Sequence, residues 1–241
     1  MTTNAPSDRQ PAAAVEATAV AVFGGRGGGA LAAFTLSRLE ALGRVKCLGL
    51  LNDVETVGAR ISGYPVLGPF ASWRDLPSAT HFVAPLHKAK QMRARAEIIR
   101  GLGIPRPRWA TLIDPQAVLA HDVTHGVGVL ASPGCSIMCG ARVGDHVMVR
   151  NGSHVAHDCT IGDFVFVGIN AVVCGYVTVQ EGAHIAPGAV VREGTTVGRY
   201  SVVGLGAVVI EDVPDGAVVA GNPARVIQSM ADIDQALAVA R

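Results

Sequence analysis

The spacing of apolar positions changes character once along the chain. In the first part, apolar runs alternate with helical spacing. Ala19–Phe23 (AVAVF) has strand character and ends in the glycine-rich run Gly24-Gly25-Arg26-Gly27-Gly28-Gly29. Leu31, Phe34, Leu36, Leu39 and Leu42 then recur at helical spacing, with Gly43 as the stop. Val45–Leu51 predicts a second strand ending at Asn52-Asp53, and Gly63-Tyr64-Pro65-Val66-Leu67-Gly68 is turn-rich. His81–Leu86 predicts a third strand and Lys88–Leu102 a basic helix. Strand alternating with helix predicts a small α/β domain around a parallel, Rossmann-like sheet.

From about residue 117 a stricter period takes over. Ile137, Val143, Val149, Val155, Ile161, Val167, Val173, Val179, Ile185, Val191, Val197, Val203 and Val209 follow one another at a spacing of six, thirteen in a row. Two positions before each stands a mostly small residue, from Cys135 and Ala141 through Ser153 and Cys159 to Ser201 and Ala207. Alternating strands of an ordinary sheet would not hold that phase. A hexapeptide period predicts a parallel β-helix, in which three short strands and three turns close one triangular coil. The aliphatic residue points into the prism and stacks on its equivalent one coil away, about 4.8 Å along the axis. Arg225–Arg241 returns to helical spacing at Val226, Ile227, Met230, Ile233 and Leu237, predicting a helix over the open end of the prism. The expected order is a mobile tail (1–18), the α/β domain (19–112), the β-helix (113–228) and a C-terminal helix (229–241).

Composition narrows the function class. Aromatic residues are 5 % of the 241, and hydrophobic residues 49 %, so the core is Val, Ala, Leu and Ile, which suits narrow stacked layers. A net charge of +1 gives no field for nucleic acid or anionic membranes. No apolar run approaches a membrane span, and no signal peptide opens the chain, so a cytoplasmic protein is expected. Cys47, Cys135, Cys139, Cys159 and Cys174 form no CxxC pair, which predicts free thiols and neither a disulfide framework nor a metal site.

Two places carry chemistry. The glycine-rich turn follows a strand and opens a helix, the arrangement in which backbone N–H groups meet a phosphate. Asn52-Asp53 falls about 23 residues on, where an acid would touch a ribose. Fewer than 100 residues precede the prism, room for one mononucleotide half and not for a dinucleotide site. In the repeats, His157 lies two positions past the inward Val155, near a turn, where an imidazole is free to take a proton. Asp158 follows it; in extended chain it would point away from its neighbour's ring. His125 reads as structural, His121, His146 and His184 as solvated turns, and His154 as a lesser candidate for substrate contact.

The glycine-rich βα turn, Asn52-Asp53, YPVLG, His157-Asp158-Cys159-Thr160-Ile161-Gly162-Asp163-Phe164 and Gly221-Asn222-Pro223-Ala224 together resemble the sialic acid O-acetyltransferase and bacterial nucleotide-amino-sugar N-acetyltransferase family, over residues 19–228. The resemblance implies a left-handed coil and a homotrimer with parallel prisms. It also implies acetyl-CoA in the groove between two chains, an activated sugar nucleotide on the N-terminal domain, and no metal. It makes His157 the base with Asp158 beside it. Gly175 then presents its N–H to the thioester carbonyl, and Gly175 with Asn222, Pro223 and Ala224 contacts the cofactor. Gly24, Gly25, Arg26, Gly27, Gly28, Asn52, Asp53, Arg150 and Phe166 face the substrate. Four positions depart from the pattern: Gly28 and Phe166 where members carry histidine, Ala156 where some carry an acid, and Arg150 where asparagine is frequent. Arg150 is suited to a phosphate or a carboxylate. N-acetylation of a nucleotide-linked amino sugar, O-acylation of a sialic acid or other sugar hydroxyl, and a non-catalytic scaffold are the readings to separate.

Overall fold

The computed structural model describes residues 17–231. Strand β1 (Thr18–Phe23), helix α1 (Gly28–Ala41), β2 (Val45–Leu51), β3 (Arg60–Ile61), β4 (Tyr64–Gly68), β5 (His81–Val83) and helix α2 (Met92–Gly101) build the first domain. The sheet order is β3-β4-β2-β1-β5. β1 runs parallel to β2 and β5, and β2 parallel to β4; only the β3–β4 pair is antiparallel. The turns after β1, β2 and β5 therefore open along one edge of the sheet, with β1 central, which is where α/β sheets hold ligands. β5 stops short of the predicted Leu86 because Ala84–Leu86 folds into a tight turn, with Leu86 N–H donating to Ala84 O at 2.7 Å. The predicted helix from Lys88 begins as a 3₁₀ turn (Ala89–Gln91) before α2.

The prism starts at Leu112–Ile113 and has three faces. Face one carries Leu112–Ile113, Leu130–Ala131, Met148–Val149, Phe166–Val167, His184–Ile185, Val202–Val203 and Ala217–Ala220. Face two runs from Val118–Leu119 through His154–Val155 to Val208–Val209, and face three from Thr124–His125 through Thr160–Ile161 to Thr196–Val197. Register is strict: Val149 lies beside Val167, Val155 beside Val173 and Ile161 beside Val179. The inward aliphatics and the small residues two places before them form one buried column. Each such Val or Ile contributes roughly 1.5–3 kcal/mol by burial. Polar members of the column are satisfied locally: Ser153 Oγ donates to Arg150 O at 2.5 Å and Ser201 Oγ to Gly198 O at 2.7 Å.

The corners follow the same period. The residue three places after each inward position has positive φ at every repeat from Gly128 to Gly206. Eight are glycine; His146, Asp158, Phe164, Asn170, Tyr176 and Tyr200 are not, and hold φ between 53° and 58°. A left-handed conformation costs a non-glycine residue on the order of 1 kcal/mol, so side chains kept there point to a use. For three of the six the use is docking. At the corner between faces three and one, Phe164 and Tyr200 join Phe82, Ile99 and Trp109 in a mixed core, and the His146 ring lies edge-to-face on Trp109 (4.6 Å) and stacks on Phe164 (5.1 Å). Arg100 pairs with Glu181 (2.7 Å) and Arg106 with Asp145 (2.7 Å) around them. The outward residues of face one, Leu112, Leu130, Met148 and Phe166, pack against Val20, Leu36 and Leu50 of the first domain.

Three expectations are corrected. His146 and His184 are not solvated turns, because docking of the first domain covers both. His125 is exposed: it stands at the inward phase in the outermost coil of face three, with no further coil to cover it. Arg225–Ser229 is a strand antiparallel to Ala217–Ala220 and not helix; it pairs the edge that the last coil would leave bare, and Met230 covers Val202 and Val218. Met230 and Ala231 are helical, and residues 232–241 of the predicted helix, with Ile233 and Leu237, lie outside the described residues, as do residues 1–16 of the predicted tail.

Burial pushes the His146 imidazole down from 6.5 to about 4 and the His184 imidazole to about 4. Below their unfolded value of 6.5 the unfolded chain binds protons that the folded one refuses, so stability is lost as pH falls. Urea unfolding is expected to show a flat midpoint above pH ~6.5 and a steady fall toward pH ~4. His146→Phe is expected to make that fall shallower; an unchanged slope would remove His146 as a cause.

Candidate active site

His157 stands at the corner between faces two and three. Val155 is anchored inward, and two residues later the chain turns, so the imidazole leaves the prism wall with its side chain 46 % exposed. Asp158 holds φ at 55°. That turn defeats the extended-chain expectation: the carboxylate swings back, and Asp158 Oδ2 lies 3.0 Å from His157 Nδ1. With Asp158 accepting from Nδ1–H, the lone pair sits on Nε2. Tyr176, one coil on, packs edge-to-face on the ring with centroids 5.0 Å apart.

Gly175 closes the group. Its φ is not positive, so the glycine is required by proximity. A Cβ there would lie 2.7 Å from both Cε1 and Nε2 of His157. The Nε2 edge therefore faces the Gly175 backbone, whose N–H meets no carbonyl among the described residues. The exposed imidazole thus lies against a buried glycine whose backbone has no room for a side chain. Asn222-Pro223-Ala224 lie at the end of face two, where Ala224 N–H donates to Val208 O at 2.8 Å.

The glycine-rich turn lies at the other predicted place, at the end of β1. Ala30 N–H donates to Gly25 O (3.1 Å) and Leu31 N–H to Gly27 O (3.2 Å), leaving the N–H groups of Gly28 and Gly29 unpaired at the N-terminus of α1. Gly28 has no room for a side chain: a Cβ would sit 1.8 Å from Pro85 O. The turn after β5 thus occupies the space that a side chain at Gly28 would need. Asn52 is buried and caps its own loop, accepting from the N–H groups of Val54 (2.7 Å) and Glu55 (2.9 Å). Asp53 is exposed, and Oδ1 accepts from Phe70 N–H at 2.7 Å. Arg26 reaches Glu55 at 2.8 Å on the surface.

Phe166 and Arg150 lie where face one meets this crevice. Phe166 stacks on His87 at 3.8 Å, and His184 lies 4.7 Å from His87. Arg150 is 5 % exposed. The sequence had singled out neither His87 nor Tyr176, and had placed His184 on the surface. His154 turns away from the His157 corner, half-buried on face two, with Nδ1 2.7 Å from Ser136 Oγ.

The structure therefore makes two groups and not one. The glycine turn, Asn52, Phe166 and Arg150 gather where the first domain meets face one. His157, Asp158 and Gly175 gather at the corner opposite that face. The width of a prism face separates them.

The hexapeptide family described as bacterial transferase hexapeptide (six repeats) matches residues 158–193. Among solved structures, the acetyltransferase domain of PglB from Neisseria gonorrhoeae, in complex with acetyl coenzyme A, is 30 % identical. The match covers 88 % of this chain and 100 % of that one, with a TM-score of 0.76. PerB from Caulobacter crescentus, in complex with CoA and GDP-perosamine, is 27 % identical over 87 % of this chain and 97 % of that one (TM-score 0.75). WeeI from Acinetobacter baumannii is 25 % identical over 86 % and 99 % (TM-score 0.74). A curated acyl-(acyl-carrier-protein)–UDP-N-acetylglucosamine O-acyltransferase from Caulobacter vibrioides is 33 % identical over 72 residues, 30 % of this chain; the match spans 26 % of that relative's length.

Proposed function

The chain belongs to the hexapeptide-repeat transferases, and from that premise we propose that it moves an acetyl group from acetyl-CoA to the amine of a nucleotide-linked sugar. The observation that carries the reading is the packing of the His157 Nε2 edge against Gly175, whose N–H has no carbonyl partner among the described residues, backed by Asp158 on Nδ1. His157 Nε2 takes a proton from the amine as its nitrogen attacks the thioester carbonyl. The N–H of Gly175 steadies the oxyanion, and Asp158 stabilises the imidazolium. The imidazolium then returns the proton to the departing thiolate, giving CoA and the amide without a covalent enzyme intermediate. The likeness to proteins solved with acetyl-CoA, CoA and GDP-perosamine supports the donor and a nucleotide-sugar acceptor. No metal is needed in this scheme.

The acceptor's nucleotide rests on the glycine turn, its diphosphate on the N–H groups of Gly28 and Gly29. Since His157 lies at the corner away from that turn, the acetyl group is delivered by a neighbouring copy. Three prisms side by side, with acetyl-CoA along the corner from His157 to Asn222-Pro223-Ala224, satisfy that requirement. Three coils separate Val155 from the level of Val208, about 14 Å along the axis. Exposed Ile169 and Leu205 on one corner and Tyr176 on another supply apolar surface for such contacts. Five free cysteines and no helix long and apolar enough to cross a membrane, among the described residues, support a cytoplasmic setting.

The test is CoA release from acetyl-CoA with UDP-, GDP- and dTDP-linked amino sugars, each beside its hydroxyl counterpart. Transfer to one amino sugar with stoichiometric CoA is expected. Transfer only to hydroxyl counterparts would replace N- by O-acylation, and no transfer across the panel would overturn the reading.

A further inference from the structure

Arg150 is a buried cation without a counter-ion among the described residues. Its residue is 5 % exposed, and Nη1 has neither solvent nor a hydrogen-bond partner. Burial disfavours its charged form, and no carboxylate offsets this: the one other influence on the guanidinium is the Cys135 thiol. His87, close enough to feel the Arg150 charge, has an unsatisfied Nδ1, and so has His184 on the far side of His87 and Phe166. Both rings are stacked with Phe166 and held neutral by burial, and the Arg150 charge further depresses His87. Neutral imidazoles each carry one donor and one acceptor, so this cluster offers donors around a positive charge and no anion.

The cluster continues the nucleotide crevice. Gly28 abuts Pro85 O and Gly24 abuts Leu86, and His87 is the next residue of that loop. An acceptor whose diphosphate sits on the Gly28 and Gly29 N–H groups extends past Pro85 and Leu86 toward His87 and Arg150.

We propose that Arg150, with His87 near it, receives a second anionic oxygen group of the acceptor, so that the sugar accepted is itself acidic, bearing a carboxylate in addition to its nucleotide diphosphate. The planar guanidinium matches a carboxylate with two N–H donors, and a buried site without an internal acid favours the ligand that supplies one. The inference rests on the acyltransferase reading for the identity of the ligand, and is tested by binding alone.

Calorimetry on the full-length protein without acyl-CoA would compare three probes: a UDP-linked amino sugar with a C6 carboxylate, its neutral CH₂OH counterpart, and UDP. The carboxylate probe is expected to bind on the order of 10- to 100-fold more tightly than the neutral one, and Arg150→Gln to abolish the difference while leaving UDP affinity unchanged. If Arg150→Gln instead weakens UDP itself, the anion received is the diphosphate, and the acidic-sugar assignment falls. If Arg150→Gln and Arg150→Met bind all three probes as wild type does, the guanidinium is met by a neighbouring copy and the proposal is overturned. Unchanged melting and CoA binding by the variants establish that they fold. Charge-selective binding without transfer would keep the subsite and sink the acyltransferase reading; transfer without charge selectivity would do the reverse.

Discussion

His157→Ala is expected to lower acetyl transfer by about 10²–10⁴-fold while leaving acetyl-CoA affinity and the melting temperature unchanged. The side chain is 46 % exposed, so its removal opens no cavity in the prism. Its one polar partner is Asp158, also about half exposed, so no buried charge is stranded. Asp158 separates catalysis from stability in the opposite sense. It occupies a left-handed corner that glycine fills at eight equivalent positions. Asp158→Gly is expected to fold at least as stably as wild type, gaining up to roughly 1 kcal/mol from relief of the corner. Its rate is expected to fall about 10- to 100-fold, because Nδ1 loses the acceptor that orients the ring. Steady-state kinetics and thermal melts on the two variants read both quantities. A wild-type rate in His157→Ala removes the base from the mechanism. A destabilised Asp158→Gly would mean that the Nδ1 contact holds the corner together rather than the imidazole in place.

The prism was legible because its physics is one-dimensional. Each coil repeats the same inward aliphatic and the same small companion, so Ile137 to Val209 announce the fold without reference to anything distant in sequence. The corners carry an equally local signal. Three places past each inward residue the chain needs a left-handed conformation, and His146, Asp158, Phe164, Asn170, Tyr176 and Tyr200 stand where glycine is the rule. Those departures mark the docking corner (His146, Phe164, Tyr200) and the flanks of His157 (Asp158, Tyr176). That signal would have found Tyr176 beside the site, and would have moved His146 from surface to interface. What no local pattern gave was the meeting of the two domains. His87 lies in a short turn after β5 with no periodicity, and its stack on Phe166 depends on how the first domain sits on face one. Arg150 reads in sequence as a residue for a phosphate or a carboxylate; its burial does not show in the local pattern. Arg225–Ser229 failed for a related reason. Val226, Ile227 and Met230 fit a helical stripe, but the bare edge of the last coil is a stronger demand than the stripe, and a strand answers it.

Two inactive variants are expected to restore each other when co-expressed. The glycine turn lies with the domain that covers face one, and His157 lies at the corner opposite that face, so under the proposed function base and nucleotide turn come from different chains. Gly27→Glu puts a negative charge beside the unpaired N–H groups of Gly28 and Gly29; a Cβ at Gly27 meets nothing within 4 Å, so the domain folds around it. That charge opposes the acceptor's diphosphate at the helix N-terminus and is expected to abolish acceptor binding. His157→Ala keeps the nucleotide site and loses the base. In a mixed trimer, a Gly27→Glu chain still lends its intact His157 to a neighbour whose glycine turn is intact. Every mixed trimer makes such a site at one of its three interfaces, so activity of about a third of wild type is expected from two parents that have almost none. The measurement is the specific activity of doubly tagged, co-purified trimers against each parent purified alone. Recovery toward that fraction requires a base and a nucleotide turn from different chains. Mixed trimers as inactive as their parents would require both from one chain, and the corner carrying His157 would then have to reach face one by a rearrangement that the strict register of the coils gives no means to make.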